Sequence, residues 1–324
     1  MGHNLDLSRM IWGGCAFLKY LVRGGLFSVN LEVTKRCNAR CNFCNYWKER
    51  AQPELDSYVD VIRILKPLAI NITGGEPLIR DDLEQIISSL HQNFRFLYIS
   101  LITNGSLLTV EKGIRLWQAG LDELSISLDY LDDRHDRERN IEGLSSHVLS
   151  VASLLREAGV NLCFNVVIKK GNYLEIPEII RIAAGLKIKV SLSTYNSWKA
   201  GSEKHMINRH EIANLNQVLK EIVSLKMRFG NVTSRPYYLE KIPVFFQHRG
   251  IQGCTAGLNW VQVTSDGFIK RCSDHPIAFE FHKWKKFAFS PSSCTKCWYS
   301  CRGAAQEPIT FYRFFEMAKD ALSV

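Results

Sequence analysis

Three cysteines occur within eight residues of the chain, at Cys37, Cys41 and Cys44. Thiolates are soft ligands that suit zinc or an iron–sulfur cluster, and short spacings let one loop wrap around the metal. A structural zinc site needs a fourth ligand nearby, and residues 47–50 offer no obvious one. Three thiolates on a four-iron cluster instead leave one iron open to an outside ligand. The spacing therefore indicates a soft-metal site, with zinc as the alternative to iron–sulfur.

A second stretch with chemical potential reads Thr73-Gly74-Gly75-Glu76-Pro77-Leu78. Its glycines let the backbone come close to a ligand, and a glutamate can accept hydrogen bonds from an ammonium group. A turn of this kind alone is a weak signal. Its position at a predicted strand end, after a three-cysteine loop, makes a ligand-binding role the stronger interpretation.

The elements that position both stretches alternate between strand-like and helix-like segments from residue 28 onwards. The predicted strands cover residues 28–34, 68–73, 95–103, 122–129, 160–169 and 187–195. The predicted helices cover residues 53–66, 80–92, 109–119, 145–158, 173–185 and 208–228. Repeated β–α units predict an α/β fold with a parallel sheet, either open or curled into a partial (β/α)6 TIM-like barrel. Ligands of such folds gather at the carboxyl ends of the strands, where both stretches lie.

A second group of cysteines begins after the β–α alternation stops, near residue 241. Its members are Cys254, Cys272, Cys294, Cys297 and Cys301. An Asp-Gly pair at residues 266–267, between two alternating segments, predicts a hairpin that brings Cys254 and Cys272 together. Five thiols within 48 residues, two of them in a C-x-x-C pair, indicate a metal site. A zinc ribbon is the alternative for this group.

The cysteine groups and the Gly74–Pro77 turn together resemble the radical S-adenosylmethionine (SAM) superfamily, over about residues 28 to 301. In that family a C-x-x-x-C-x-x-C loop, usually with an aromatic residue before its last cysteine, holds a [4Fe-4S] cluster. SAM chelates the open iron, and a Gly-Gly-Glu-Pro turn binds the amino group of its methionine moiety. Phe43 fills the aromatic position of the loop.

The resemblance also implies which residues bind SAM. They are Phe43, Gly74, Gly75, Glu76, Pro77, Asn104, Ser127, Asp129, Arg139, Asn165 and Ile168. Ser127 and Asp129 would face the carboxylate and the ribose of SAM. Arg139, at the end of a polar loop that looks like the family's H-D-x-x-R, would reach the carboxylate, and a salt-bridged surface loop is the alternative there. Asn165 would face the ribose and Ile168 the adenine. The sequence assigns no catalytic acid or base.

The C-terminal cysteines resemble the SPASM/Twitch extension of radical SAM enzymes, because Gly267 precedes Cys272 with four residues between them. A full SPASM extension needs more than the five cysteines present, so the resemblance implies a Twitch-type domain with one auxiliary [4Fe-4S] cluster. Its expected ligands are Cys254, Cys272, Cys294 and Cys297, with Cys301 as an alternative ligand or a free thiol.

We therefore expect three parts in the chain. Residues 1–27 form an N-terminal amphipathic helix, residues 28–240 the partial barrel, and residues 241–324 a small α+β auxiliary-cluster domain that ends in a helix near residues 310–323. The N-terminal helix would either cap the bottom of the barrel or lie at a membrane interface.

Composition limits the class of protein and its location. With 324 residues, 46% hydrophobic and 23% charged, the chain is globular, and its clustered cysteines favour metal ligation over disulfides. No apolar run approaches the roughly 20 residues that span a bilayer, and no convincing signal peptide is present. We expect a cytoplasmic protein, with peripheral membrane contact left open. A net charge of +9 permits an anionic partner, but no basic block interleaved with aromatics indicates nucleic acid.

The resemblance implies an enzyme that cleaves SAM reductively to a 5′-deoxyadenosyl radical, which abstracts hydrogen from an unactivated carbon. An electron donor such as flavodoxin or ferredoxin would reduce the first cluster, and the auxiliary cluster would assist an oxidation or a bond formation. A small molecule is the first candidate for the substrate, with a peptide or a lipid as alternatives. A non-catalytic iron–sulfur or zinc protein is the alternative from another class.

Overall fold

The computed structural model describes residues 7–284 and 289–308. Its strands are β1 Ser28–Thr34, β2 Ala69–Gly74, β3 Tyr98–Thr103, β4 Glu123–Ser127, β5 Leu162–Ile168, β6 Lys189–Thr194, β7 Trp260–Val263, β8 Phe268–Lys270 and β9 Ile277–Glu280. Its α-helices are α1 Leu7–Arg23, α2 Val59–Leu65, α3 Leu83–Asn93, α4 Val110–Gln118, α5 Asp133–Arg139, α6 Leu144–Glu157, α7 Ile176–Gly185, α8 Ser197–Ala200, α9 Ile212–Phe229, α10 Pro236–Leu239, α11 Ile242–His248 and α12 Ser300–Gln306.

The strands form one sheet in the order β6-β5-β4-β3-β2-β1-β7-β8-β9. Strands β1 to β6 are parallel to their neighbours and correspond to the predicted strands. Because β6 and β9 end the sheet, the barrel is open. The predicted α/β fold with a partial barrel is confirmed.

Helices α2 and α5 differ from the sequence expectations. The first predicted helix begins only at Val59, because the preceding segment pairs elsewhere: the Glu54 carboxylate accepts from Arg36, and the Leu55 N–H donates to the Ser265 carbonyl. The polar stretch expected as a loop contains helix α5, whose first turn is capped by the Asp132 side chain.

The two faces of the sheet differ in polarity and exposure. In β6, Val190 and Leu192 are buried on the side that helices cover, whereas Ser191 and Ser193 are partly exposed on the other side. The same alternation occurs in β2 and in the carboxyl-terminal half of β5. We call this second side the concave face; its partly exposed polar residues include Asn30, Asn71, Asn165, Ser191 and Ser193. A solvent-accessible, hydrogen-bonding interior therefore runs along the barrel strands.

The C-terminal segment continues the barrel sheet, because β7 pairs in parallel with β1. Strand β8 returns antiparallel to β7 through a turn in which Gly267 has a φ of +86°, so the predicted hairpin is present. The division of the chain at residue 240 stays a prediction. The helix expected near residues 310–323 lies outside the described residues.

Helix α1 is anchored below the amino ends of β3 and β4. The Arg9 guanidinium donates to Asp122 Oδ1 at 2.6 Å and Oδ2 at 2.8 Å, and to the Leu97 carbonyl at 2.9 Å. Phe17 is buried, whereas Ile11 and Val22 are exposed. In the part of the chain that the structure describes, no helix has the length and apolar character needed to cross a membrane.

Arg9→Ala should destabilise the protein by about 2 kcal/mol, because it leaves the buried Asp122 carboxylate without its charged partner. Urea unfolding of the reduced protein measures the loss, and limited proteolysis at Gly24-Gly25 should become faster. Lys19→Ala, on the exposed side of the same helix, is the matched control. Equal stability of Arg9→Ala and Lys19→Ala would show that the anchor contributes nothing.

Candidate active site

The glycine turn after β2 packs directly on the backbone that leads into the first cysteine loop. The Gly75 N–H donates to the Thr34 carbonyl and the Glu76 N–H to the Arg36 carbonyl, both at 2.8 Å. A Cβ atom at Gly74 would lie 2.3 Å from the Thr34 oxygen, and one at Gly75 would lie 2.1 Å from the Arg36 oxygen. Side chains at both positions would clash with backbone, so the paired glycines permit the contact that supports the loop.

Glu76 connects this turn to the end of β3. Its buried carboxylate accepts from Thr103 Oγ1 at 2.6 Å, from the Asn104 N–H at 2.7 Å and from the Leu78 N–H at 3.0 Å. Burial raises the pKa of Glu76, although these hydrogen bonds oppose the rise. Asn104 in turn donates to Asn38 inside the cysteine loop. The observed contacts of Glu76 are therefore within the protein, and its contact with the SAM amino group stays a prediction.

The three thiols of the loop lie close enough to interact electrostatically. Cys41 is buried, and Cys37 and Cys44 are partly buried. Burial raises the pKa of Cys37 to about 12, and the other two thiols add to the rise. Within residues 7–284 and 289–308, no three His, Cys, Asp or Glu side chains are arranged to hold a single metal ion. Three soft thiol donors on one loop suit an iron–sulfur cluster.

A buried group of four charges lies beside the loop. The Arg139 guanidinium donates to Asp129 Oδ2 at 2.7 Å, and Lys169 Nζ lies 2.5 Å from Glu138 Oε2 and 3.4 Å from Asp129 Oδ2. Burial alone would raise the pKa of Asp129. The positive charges of Lys169 and Arg139 oppose this effect and hold that pKa well below its usual range. Asp129 is therefore a carboxylate, balanced by two cations.

This charged group also contacts the cysteine loop. The Asn42 N–H donates to the Glu138 carbonyl and the Arg40 N–H to the Arg139 carbonyl. The Lys169 ammonium lies 4.2 Å from the centre of the Phe43 ring. Sequence reasoning missed Lys169, although a lysine directly after an apolar strand was a usable signal.

The remaining predicted SAM-binding residues lie on or directly after strands β2, β4 and β5. Ser127 and Asn165 are register partners on neighbouring strands at the concave face. Pro77 is buried at the start of the short helix that follows the turn. Ile168 is fully buried on the helix-covered face, and Val167 instead presents an apolar side chain to the concave face. The roles of these residues toward SAM stay predictions.

The second cysteine group converges beside β7. Cys254 and Cys272 are buried with Ala256, Trp260 and Ala305, and Cys294 and Cys301 pack against them. Cys297 is also buried and interacts electrostatically with Cys272 and Cys301. Burial raises the pKa of Cys272 and of Cys301 to about 12. The predicted proximity of Cys254 and Cys272 is present, and the set of soft donors fits an iron–sulfur cluster.

A buried carboxylate lies between the two cysteine groups. Glu32 has no exposed surface, and its Oε2 accepts from Gln262 Nε2 at 2.6 Å. Lys35 Nζ, which also pairs with Glu49, lies 3.1 Å from Glu32 Oε1. Burial raises the pKa of Glu32, and Lys35 opposes this. Glu32 thus ties the cysteine loop, through Lys35, to strand β7. Sequence reasoning missed this residue, although an acid within an apolar strand marked it.

Known proteins resemble this chain in sequence and in fold. Residues 31–183 match the model of the Radical SAM superfamily. A GTP 3′,8-cyclase of Staphylococcus aureus (strain JH9) is 28% identical over 262 residues, which cover 76% of this chain and 74% of that protein.

Two solved structures have the same fold. Streptococcus suis SuiB bound to S-adenosylmethionine aligns with a TM-score of 0.66 at 18% identity, over 86% of this chain and 70% of SuiB. Native anSMEcpe with bound AdoMet aligns with a TM-score of 0.62 at 17% identity, over 78% of each chain. At these identities the likeness concerns the open barrel fold.

Gly75→Ala should cost about 3 kcal/mol of stability and lower the iron content after anaerobic reconstitution, because the new methyl group clashes with the Arg36 carbonyl. Gly185→Ala is the matched control, since its Cβ would have no heavy atom within 4 Å. Chemical unfolding and iron analysis of both variants test this. Normal iron content in Gly75→Ala would contradict the supporting role of the turn.

Acidification should destabilise the fold through His135. Burial lowers the pKa of this imidazole to about 3, and its Nδ1 accepts from the Asp129 N–H. The unfolded chain binds a proton near pH 6.5 that the folded chain does not, so stability falls by about 1 kcal/mol between pH 7 and 5.5. Unfolding at both pH values should show a smaller difference for His135→Asn. The exposed His248→Asn should retain the wild-type difference, and a wild-type difference in His135→Asn would contradict the assignment.

Proposed function

Because residues 31–183 form a radical SAM superfamily domain, which uses a [4Fe-4S] cluster and SAM, we propose that this enzyme abstracts a hydrogen atom from a small polar molecule. Cys37, Cys41 and Cys44 would hold the cluster, which would supply the electron for reductive cleavage of SAM and so the radical chemistry that removes hydrogen from an unactivated carbon. The observation that carries the proposal is the three-thiol loop braced by Gly74 and Gly75 at the strand ends.

The residues around the loop have separate tasks in this proposal. Cys37, Cys41 and Cys44 hold the cluster. Arg139 supports a site for the SAM carboxylate, because its Nε is buried and makes no hydrogen bond to any described residue. A buried guanidinium N–H without a partner is costly, and an anionic ligand group would satisfy it. Asp129 keeps Arg139 in place through its 2.7 Å contact.

The concave face supports a polar substrate rather than a lipid. Its amide and hydroxyl side chains, including Asn71, Asn165 and Ser193, are partly exposed. An acyl chain lying there would remove water from these groups without offering hydrogen bonds, which costs free energy. A hydroxylated or amide-bearing molecule would replace the water.

The sequence relatives suggest which small molecule to test first. The Staphylococcus aureus relative is named as a GTP 3′,8-cyclase, and the net charge of +9 suits an anionic substrate. We therefore place a nucleoside triphosphate first among the candidates. A peptide remains the second candidate, since one SuiB structure contains a precursor peptide, but that likeness concerns the fold.

The second cysteine group supports one auxiliary [4Fe-4S] cluster in a Twitch-type segment. Cys254, Cys272, Cys294 and Cys301 pack together beside strand β7, which is hydrogen-bonded to the strand that leads into the first loop, and Cys297 interacts electrostatically with two of them. Four of the five thiols suffice for such a cluster. An auxiliary cluster at this position would border the concave face, where it could accept an electron from the substrate or help to bind it.

Anaerobic reconstitution should give about eight iron and eight sulfide per chain, the content of two four-iron clusters. Incubation with dithionite and SAM should release 5′-deoxyadenosine, and Cys41→Ala should abolish the release. Cys15→Ala, at an exposed thiol outside both groups, should retain it. Zinc without sulfide, or equal release by wild type and Cys41→Ala, would overturn the proposal.

Deuterated candidates should identify the substrate class. GTP labelled on its ribose is the first probe, and deuterium in the 5′-deoxyadenosine would show direct hydrogen abstraction. Other polar molecules and phospholipid vesicles follow under the same conditions. Transfer from a lipid acyl chain, without transfer from any polar molecule, would contradict the polar-substrate proposal.

A further inference from the structure

Lys169 has no exposed surface and completes a closed set of contacts around the first cysteine loop. Its Nζ lies 2.5 Å from Glu138 Oε2, and the Glu138 carbonyl accepts from the Asn42 N–H at 2.9 Å. Asn42 is followed in the loop by Phe43, whose ring centre lies 4.2 Å from the same Nζ. The loop is thus held to α5 by its backbone and to Lys169 by a side chain, and Glu138 takes part in both connections.

The position of Lys169 is fixed at both ends of its side chain. Its N–H donates to the buried Asn172 Oδ1 at 2.9 Å. Asn172 Nδ2 donates to the carbonyls of Val167 at 2.9 Å and of Asp129 at 3.1 Å. At the other end, Asp129 Oδ2 lies 3.4 Å from Nζ, and the centre of the Tyr130 ring lies 5.1 Å away. Two carboxylates and two aromatic rings therefore surround an ammonium group that water does not reach.

Lys169 and Arg139 are suited to different tasks beside the loop. The buried Arg139 Nε makes no hydrogen bond to any described residue, so this guanidinium can still receive a ligand group. Lys169 has no exposed surface, so it acts on a group bound by the loop through Phe43 and through its charge. A charge enclosed in the protein interior acts more strongly on its neighbours than a charge in water does.

We propose that Lys169 is a positioning residue for the first cluster: it holds Phe43 and the adjoining Cys44 in place, and its charge makes that cluster easier to reduce. The reduced cluster carries one more negative charge, so a nearby cation raises its reduction potential. Glu138 has the opposite effect, because its carboxylate partly neutralises Lys169. The inference rests on the proposed function, since it requires a cluster on the three-thiol loop.

The first test is a redox titration of the anaerobically reconstituted holoprotein, followed by electron paramagnetic resonance. Added SAM identifies the signal of the first cluster, because only that cluster has an open iron. Lys169→Met removes the charge and nearly keeps the side-chain length, so it should shift the potential of the first cluster to a more negative value. Glu138→Gln leaves Lys169 less neutralised and should shift the same potential to a less negative value.

Lys170→Met is the matched control, because it removes the same charge from the next residue, which is exposed to water. Its potential should stay close to the wild-type value. An unshifted potential in Lys169→Met, or an equal shift in Lys170→Met, would overturn the role of the buried charge. Shifts of the same sign in Lys169→Met and Glu138→Gln would also overturn it, because loss of structure alone does not produce opposite signs.

Glu138→Gln also keeps the proposal testable where Lys169→Met fails to bind iron. The glutamine can still accept the hydrogen bond that Tyr130 Oη donates to Glu138 Oε1 at 3.0 Å. An unshifted potential in Glu138→Gln would then overturn the proposal.

The second test measures how fast the holoprotein loses its SAM-sensitive signal to an iron chelator under anaerobic conditions. Lys169→Met should lose the signal faster than wild type, because Phe43 no longer packs on an ammonium group, and Lys170→Met should lose it at the wild-type rate. Equal rates in Lys169→Met and wild type would overturn the holding of the loop. Wild-type protein that binds zinc without sulfide would instead refute the proposed function, so the two failures are distinguishable.

Discussion

The backbone contact between the glycine turn after β2 and residues 34–36 is the constraint on which the site depends. Both carbonyls that lead into the cysteine loop accept hydrogen bonds from this turn, and no side chain fits between them. Glu76 extends the contact to β3, and the carbonyls of α5 hold the other side of the loop. Contacts within the protein therefore support the loop from several strand ends.

The sequence predicted the open barrel and both cysteine groups because their signals are local. Alternation of apolar residues marks a strand, and short cysteine spacings mark a loop that can surround a metal. Lys169 and Glu32 were not identified from the sequence, because their roles depend on contacts between segments that are distant in the chain. Lys169 is part of the site because it contacts Glu138 of α5 and Asp129, which follows β4. Glu32 matters because Gln262, distant in sequence, pairs with it. For Ile168, the sequence did not show which face of β5 its side chain would occupy. Side chains alternate between the two faces of a strand, so a shift of one residue moves a side chain to the opposite face.

Strand β1 connects the polar concave face with both groups of cysteines. Strand β1 leads into the first group, lines the interior with Asn30 and Glu32, and pairs with the strand beside the second group. The chemistry assigned to SAM and to an auxiliary cluster would therefore occur around the same strand. A substrate on the concave face would contact side chains whose hydrogen bonds also hold the metal-binding segments.

The parallel pairing of β1 with β7 also has a consequence for biosynthesis. During translation, one edge of β1 has no partner until residues 260–263 have left the ribosome. An exposed strand edge in a partly made chain can pair with another chain, and contacts between distant residues form slowly. The nascent barrel would thus wait for β7 before this edge of β1 is covered. Slow synthesis or early termination would favour aggregation, so coexpressed chaperones should matter more for this protein than its size suggests.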